Sequence, residues 1–154
     1  MSPGGRQMRV LLDTNVLISA LLSPGGSPSL VYAAVRAGVF ELIVNRALLA
    51  EVADVLGRPK LQRYVTAAEA ADFMAELATV ATLIDTGTAQ VAAARATVRD
   101  AGDAFLLDLV RVGAPSFFVT GDQALLDLVS IGSTLIVSPG DLRLVLDELA
   151  DGRA

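Results

Sequence analysis

Residues 8–22 read MRVLLDTNVLISALL, an apolar run that breaks into the polar triplet Asp13-Thr14-Asn15 before apolar residues resume. A short apolar run bounded in this way is the pattern of a strand buried on both faces that meets a helix start. The pattern returns where Phe117-Phe118-Val119 runs into Thr120-Gly121-Asp122. Strand-like runs alternate with helical patterns from Met8 to Leu149, which implies βαβ units and a parallel sheet. The expected strands are Met8 to Leu12, Phe40 to Val44, Thr82 to Ile84, Phe117 to Val119 and Thr134 to Val137.

The helices are marked by their ends. Ser27-Pro28 supplies cap and first residue for a helix to Arg36, which Gly38 stops. Asn45 caps a helix over Ala47 to Leu56 that ends at Gly57-Arg58-Pro59, and Thr66-Ala67-Ala68-Glu69 is a capping box opening a helix to about Val80. Ser138-Pro139 starts the last helix, Gly140 to Leu149, with Leu142, Val145, Leu146 and Leu149 at helical spacing.

Composition narrows the chemistry. The 154 residues are 53% hydrophobic and 19% charged, too apolar for a disordered chain and the right length for one core. So much apolar material also predicts an apolar flank or a dimer face. No apolar run reaches the roughly 18–20 residues of a membrane helix, so a soluble protein with no membrane association is expected. Met1 to Gln7 reads as a disordered leader without an export signal, residues 8–150 as one domain and 151–154 as a tail. The chain has neither cysteine nor histidine, which removes thiolate chemistry, a Ser-His-Asp triad and His-ligated zinc. The lack of cysteine suits the cytoplasm. Carboxylates with a hard cation become the default chemistry. A net charge of −5 and a pI near 4.6 argue against non-specific coating of nucleic acid. The basic residues Arg9, Arg36, Arg46, Arg58, Lys60, Arg63, Arg95, Arg99 and Arg111 are dispersed.

In parallel α/β sheets ligands bind beyond the carboxyl ends of the strands. Asp13 and Asp122 stand there, either as helix caps or as ligands converging on one rim. Glu51 shares a helix face with Leu48, Val52 and Val55, so it either meets a cation or reaches solvent or Arg58. Asp103 opens the run Asp103-Ala104-Phe105-Leu106-Leu107, at the top of the stripe formed by Leu106, Leu107 and Val110. Asp100 lies three residues before it, as a supporting acid or a solvated loop residue. Four carboxylates gathered without Lys or Arg would repel unless a cation were bound, and oxygen-only ligands suit Mg²⁺ or Mn²⁺. Such a site can activate water against a phosphodiester.

Leu12-Asp13-Thr14-Asn15-Val16-Leu17-Ile18-Ser19-Ala20-Leu21, then Leu49-Ala50-Glu51-Val52 with Arg58-Pro59-Lys60, resemble the PIN-domain superfamily. So do Arg99-Asp100-Ala101-Gly102-Asp103-Ala104-Phe105-Leu106 and Thr120-Gly121-Asp122-Gln123-Ala124-Leu125-Leu126. The resemblance implies a three-layer α/β/α fold with a five-stranded parallel sheet of order 3-2-1-4-5, and Mg²⁺- or Mn²⁺-dependent cleavage of RNA. It implies Asp13, Glu51, Asp103 and Asp122 as catalytic and metal-binding acids, with Thr14, Asn15 and Thr120 orienting them. The branch resembled is that of bacterial toxins of toxin–antitoxin pairs, which implies an antitoxin partner and a homodimer. The third block departs from the family's usual Arg-Asp-Pro-Asp-Asp by one acid. Asp108 stands where a small residue is common and, about 140° round the helix from Asp103, is expected to face solvent or an interface. Two other readings compete: a PIN fold retained as an RNA- or protein-binding module, and a phosphoryl-accepting α/β domain, which would want a Lys near the fourth or fifth strand.

Overall fold

A computed structural model describes residues 7–87 and 104–152. The first half comprises β1 (Met8–Leu12), α1 (Thr14–Leu22), α2 (Ser27–Arg36), β2 (Phe40–Val44), α3 (Arg46–Leu56), α4 (Pro59–Gln62), α5 (Ala67–Val80) and β3 (Thr82–Leu83). The second comprises α6 (Ala104–Gly113), β4 (Phe117–Val119), α7 (Gln123–Leu126), β5 (Ser130–Ile131), β6 (Thr134–Val137) and α8 (Pro139–Gly152). The sheet order is β3-β2-β1-β4-β6-β5, parallel except for the β5–β6 pair, with helices on both faces.

Local signals explain most boundaries. The Thr66 hydroxyl accepts from the Glu69 N–H while the Glu69 carboxylate accepts from the Thr66 N–H, the complete capping box. Asn45 caps α3 through the Leu48 N–H. Gly26, rather than Ser27, is the cap of α2, because its carbonyl already accepts from the Leu30 N–H. The last helix continues beyond Leu149 to Gly152.

The expected five-stranded, all-parallel sheet needs one correction. The strand Thr134–Val137 is the sixth among the described residues, and the added strand Ser130–Ile131 pairs antiparallel along its outer edge. Val129 at φ 67° and Gly132 at φ 59° turn the backbone sharply on either side of this two-residue strand. Two residues are too few to display an alternating pattern, which is why the hairpin is silent in the sequence.

The core is built on the two central strands and the helices over them. Val10, Leu11, Leu12, Leu42, Ile43 and Val44 are fully shielded, as expected for strands buried on both faces. At Gly113 an added Cβ would lie 2.4 Å from Ile43 Cδ1, so a side chain here would force the end of Ile43 to move and glycine lets the end of α6 pack closely on β2. The Gly113 carbonyl accepts from Arg9 Nη1 at 3.0 Å, and Arg9 also pairs with Glu41 at 2.9 Å, which ties α6 to β1 and β2. Among the described residues no single helix is long and apolar enough to cross a membrane.

Candidate functional site

Strand order reverses between β1 and β4, the place where an open α/β sheet leaves a crevice at its carboxyl edge. Register pairs Leu12 with Val119 there, and the Asp13 N–H continues the ladder by donating to the Val119 carbonyl at 3.1 Å. Asp13 and Thr120 are therefore lateral neighbours at the mouth of the crevice. The position follows from the sheet alone, before any side chain is considered.

Asp13 is 8% exposed, and each of its oxygens is engaged. Oδ1 accepts from the Val16 N–H at 2.8 Å, which caps α1, and Oδ2 accepts from the fully buried Thr120 hydroxyl. The Thr120 oxygen in turn accepts from the Asp122 N–H at 3.1 Å, so one hydroxyl links the Asp13 carboxylate to the Asp122 backbone. Burial pushes the Asp13 carboxyl above its ordinary range, the Thr120 and Val16 hydrogen bonds oppose that rise, and the nearby Asp122 charge adds to it. Asp122 itself is exposed and caps α7 by accepting from the Ala124 N–H at 2.9 Å. Both acids are thus helix caps as well as neighbours.

The other expected site residues are placed as follows. Glu51 lies half-buried on α3 beside the buried Leu48 and Val52, and its alternative partner Arg58 pairs instead with Asp54 at 3.2 Å. Among the described residues no three acidic side chains gather closely enough to hold a metal ion between them, so Glu51 does not join Asp13 and Asp122 in such a group. Asp100 and Asp103 lie outside the described residues. Thr14 is buried in the first turn of α1 and Asn15 is exposed beside it.

Asp108 corrects an expectation. It is completely buried rather than turned to solvent, with Oδ1 held by Arg111 Nη2 at 2.8 Å and Oδ2 without a hydrogen-bond partner. Its angle from Asp103 says nothing of what covers that side, and α6 is buried around most of its circumference, at Ala104, Leu106, Leu109 and Val110.

Sequence reasoning saw Asn45 only as a cap. In the structure it is 1% exposed and joins three segments: Oδ1 accepts from the Leu48 N–H, while Nδ2 donates to the Thr86 hydroxyl at 3.2 Å and to the Phe105 carbonyl at 3.1 Å. Only the cap was visible, because Thr86 and Phe105 are far away in sequence and follow no motif.

The donor set at the switch point suits a hard divalent cation: carboxylate oxygens close enough for their charges to oppose one another, with neither nitrogen nor sulfur ligands. The order of the blocks that frame it decides the family, since a family model of the PIN domain matches residues 9–124, spanning Asp13 through Asp122. The chain belongs to the PIN domain family. No curated protein sequence matches it significantly. This PIN domain is similar in fold to PAE2754 from Pyrobaculum aerophilum, with a TM-score of 0.66 at 14% identity over 96% of this chain and 94% of that one. It is also similar to VapBC2 from Rickettsia felis, solved with a DNA fragment from its promoter, with a TM-score of 0.59 at 12% identity over 85% and 98%. VapC20 of Mycobacterium tuberculosis, described as a sarcin–ricin loop cleaving toxin, aligns with a TM-score of 0.51 at 16% identity over 71% and 86%. At these identities the likeness is one of fold.

Proposed function

We propose that this PIN domain is a Mg²⁺- or Mn²⁺-dependent endoribonuclease and the toxin of a bacterial toxin–antitoxin pair. The observation that carries the reading is the Asp13–Thr120–Asp122 arrangement, two like-charged acids held together at the sheet's switch point. Keeping a buried carboxylate beside another acid is costly without a countercharge. A divalent ion would provide that charge, activate water for attack on the phosphodiester and stabilise the phosphate oxygens. Asp13 and Asp122 would hold it, with Asp103 as a further ligand, Glu51 acting from the side through the ion's bound water rather than by direct contact, and Asp100, Thr14 and Asn15 in support. Thr120 would fix the Asp13 rotamer through its donated hydrogen bond before any ion arrives. An antitoxin partner belongs to the same proposal, supported by the fold neighbours named as VapBC2 and VapC20; a homodimer and a cytoplasmic location are proposed with it from the apolar composition and the absence of cysteine.

The test is cleavage of an RNA panel in Mn²⁺ by the wild type and by Asp13→Asn. Cleavage by the wild type, abolished in the variant and by chelation, is expected. An uncut panel, or equal behaviour of the two proteins, would sink the nuclease reading. The second reading, a binding module on a PIN fold, is favoured by one observation: Glu51 does not gather with the two rim acids. RNA retained with identical affinity with and without divalent ions, and never cut, would select it.

A further inference from the structure

The rim row that carries Asp13 continues across the sheet. Extending the register pairs Val10 with Leu42 and Val44 with Leu83 sets Asp13 beside Asn45 and Asn45 beside Ile84. Each step is one strand spacing, about 4.8 Å. Past Asn45 the carboxyl ends of β2 and β3 open into a cavity of about 280 Å³ lined by Arg46, Ala47, Leu83, Ile84, Asp85 and Thr86, among others. Its walls divide by chemistry. Ala47, Leu83 and Ile84 are apolar, and Leu83 is 51% exposed, large aliphatic surface left open at a strand end. Arg46 and Asp85 are exposed at the edge, and the buried Thr86 oxygen accepts from Asn45, which leaves its hydroxyl proton for another acceptor.

We propose that this cavity receives an unstacked nucleobase of single-stranded RNA, from the nucleotide adjoining the phosphodiester held at Asp13 and Asp122. The inference rests on the nuclease reading above and extends it to a specificity subsite. A base has apolar faces and a polar edge, and the cavity presents the matching surfaces. Leu83 and Ile84 meet a face, the Arg46 guanidinium covers the other face or the adjoining phosphate, and the Asp85 carboxylate accepts from an amino or imino N–H. Carboxylate acceptance favours bases that carry an amino group. Asn45 is a positioning residue here: all its polar atoms are committed within the protein, so it holds Thr86 rather than touching the ligand.

The experiment is a binding profile. Short single-stranded RNAs carrying one abasic nucleotide at each position in turn are titrated by fluorescence anisotropy against the full chain, with Asp13→Asn present throughout to prevent turnover. One position should lose about 5- to 100-fold in affinity, the scale of a lost stacked base. That sensitivity should vanish in Leu83→Asp and shrink in Arg46→Ala, while the other positions keep theirs. Asp85→Asn should alter which base is preferred at that position. A flat profile, or one unchanged by these variants, overturns the proposal. Because Leu83 and Arg46 lie at the surface, folding is expected to survive; crosslinking of 5-iodocytidine RNA to residues 83–87 of the chain otherwise unsubstituted at the pocket gives a second readout. Binding with the expected profile but no cleavage by the wild type would fail the nuclease reading alone, whereas cleavage with a flat profile would fail the subsite alone.

Discussion

Asp13 and Asn45 follow the neighbouring strands β1 and β2 and do the same local work. Each directly follows a strand, caps the next helix through an N–H three residues on at 2.8 Å, and hydrogen-bonds a threonine that lies beyond another strand. They differ by one atom of chemistry. The Asn45 amide divides its donors between Thr86 and Phe105 and its oxygen goes to Leu48, so a neutral group is satisfied entirely inside the protein. The Asp13 carboxylate can only accept, keeps lone pairs to spare after two hydrogen bonds, and faces a second acid. Two equivalent caps therefore separate into a structural joint and a group able to hold a cation. Backbone geometry places both, and charge decides what each can do.

Exchanging the chemistry breaks the comparison most sharply at Asn45. Asn45→Asp removes both donors and turns a buried carboxylate toward the Phe105 carbonyl, so a loss of about 3–5 kcal/mol is expected in urea unfolding. A variant within 1 kcal/mol or so of the wild type would show that neutrality at this cap is irrelevant. Thr120→Val tests the other side. It keeps the shape but leaves the Asp13 oxygen without its donor, with an expected cost of about 1–3 kcal/mol and a loss of activity or metal affinity of roughly 10- to 100-fold. Full activity would mean that Asp13 needs no orienting partner.

Most of the frame was legible because its signals are local. The runs Met8–Leu12 and Phe40–Val44 are apolar throughout because both faces are covered, and Thr66 with Glu69 closes a capping box within four residues. Asp13 and Asp122 could be picked out because a strand end followed by an acid is a short pattern. What escaped depends on distance along the chain. The Asn45–Thr86 bond joins residues 41 apart, the β5 hairpin is two residues long, and the burial of Asp108 depends on what packs on that side of α6 rather than on its angle from Asp103.

At Asp13 itself the neutral exchange should stabilise. Its carboxyl lies above its ordinary range in the folded protein because burial, and then Asp122, outweigh the hydrogen bonds from Thr120 and Val16. An acid raised in this way favours the folded state fully below its unfolded value and loses that contribution as pH rises through the folded one. Without divalent ions, the wild type should therefore gain stability as pH falls from neutral toward the acidic range, and Asp13→Asn should flatten that gain. Adding Mn²⁺ at neutral pH should reverse the ranking, raising the melting temperature of the wild type more than that of the variant. Equal responses to pH and to metal would place the ion, and the weakened acid, somewhere other than Asp13.

The smallest effect is expected at Asp108, a control for burial without the rim. It is as buried as any acid in the described chain, yet it sits inside α6 rather than at a strand end, paired on one oxygen with the 58% exposed Arg111 and unpartnered on the other. Replacing such a group by a small neutral one removes a desolvated charge together with its ion pair, and the two roughly cancel. Asp108→Ala should stay within about 1 kcal/mol of the wild type in urea unfolding. Its melting temperature should still rise with Mn²⁺ as the wild type's does. If that metal response disappeared, burial alone would suffice to recruit the ion, and the contrast between a strand-end carboxylate and its amide neighbour would lose its force.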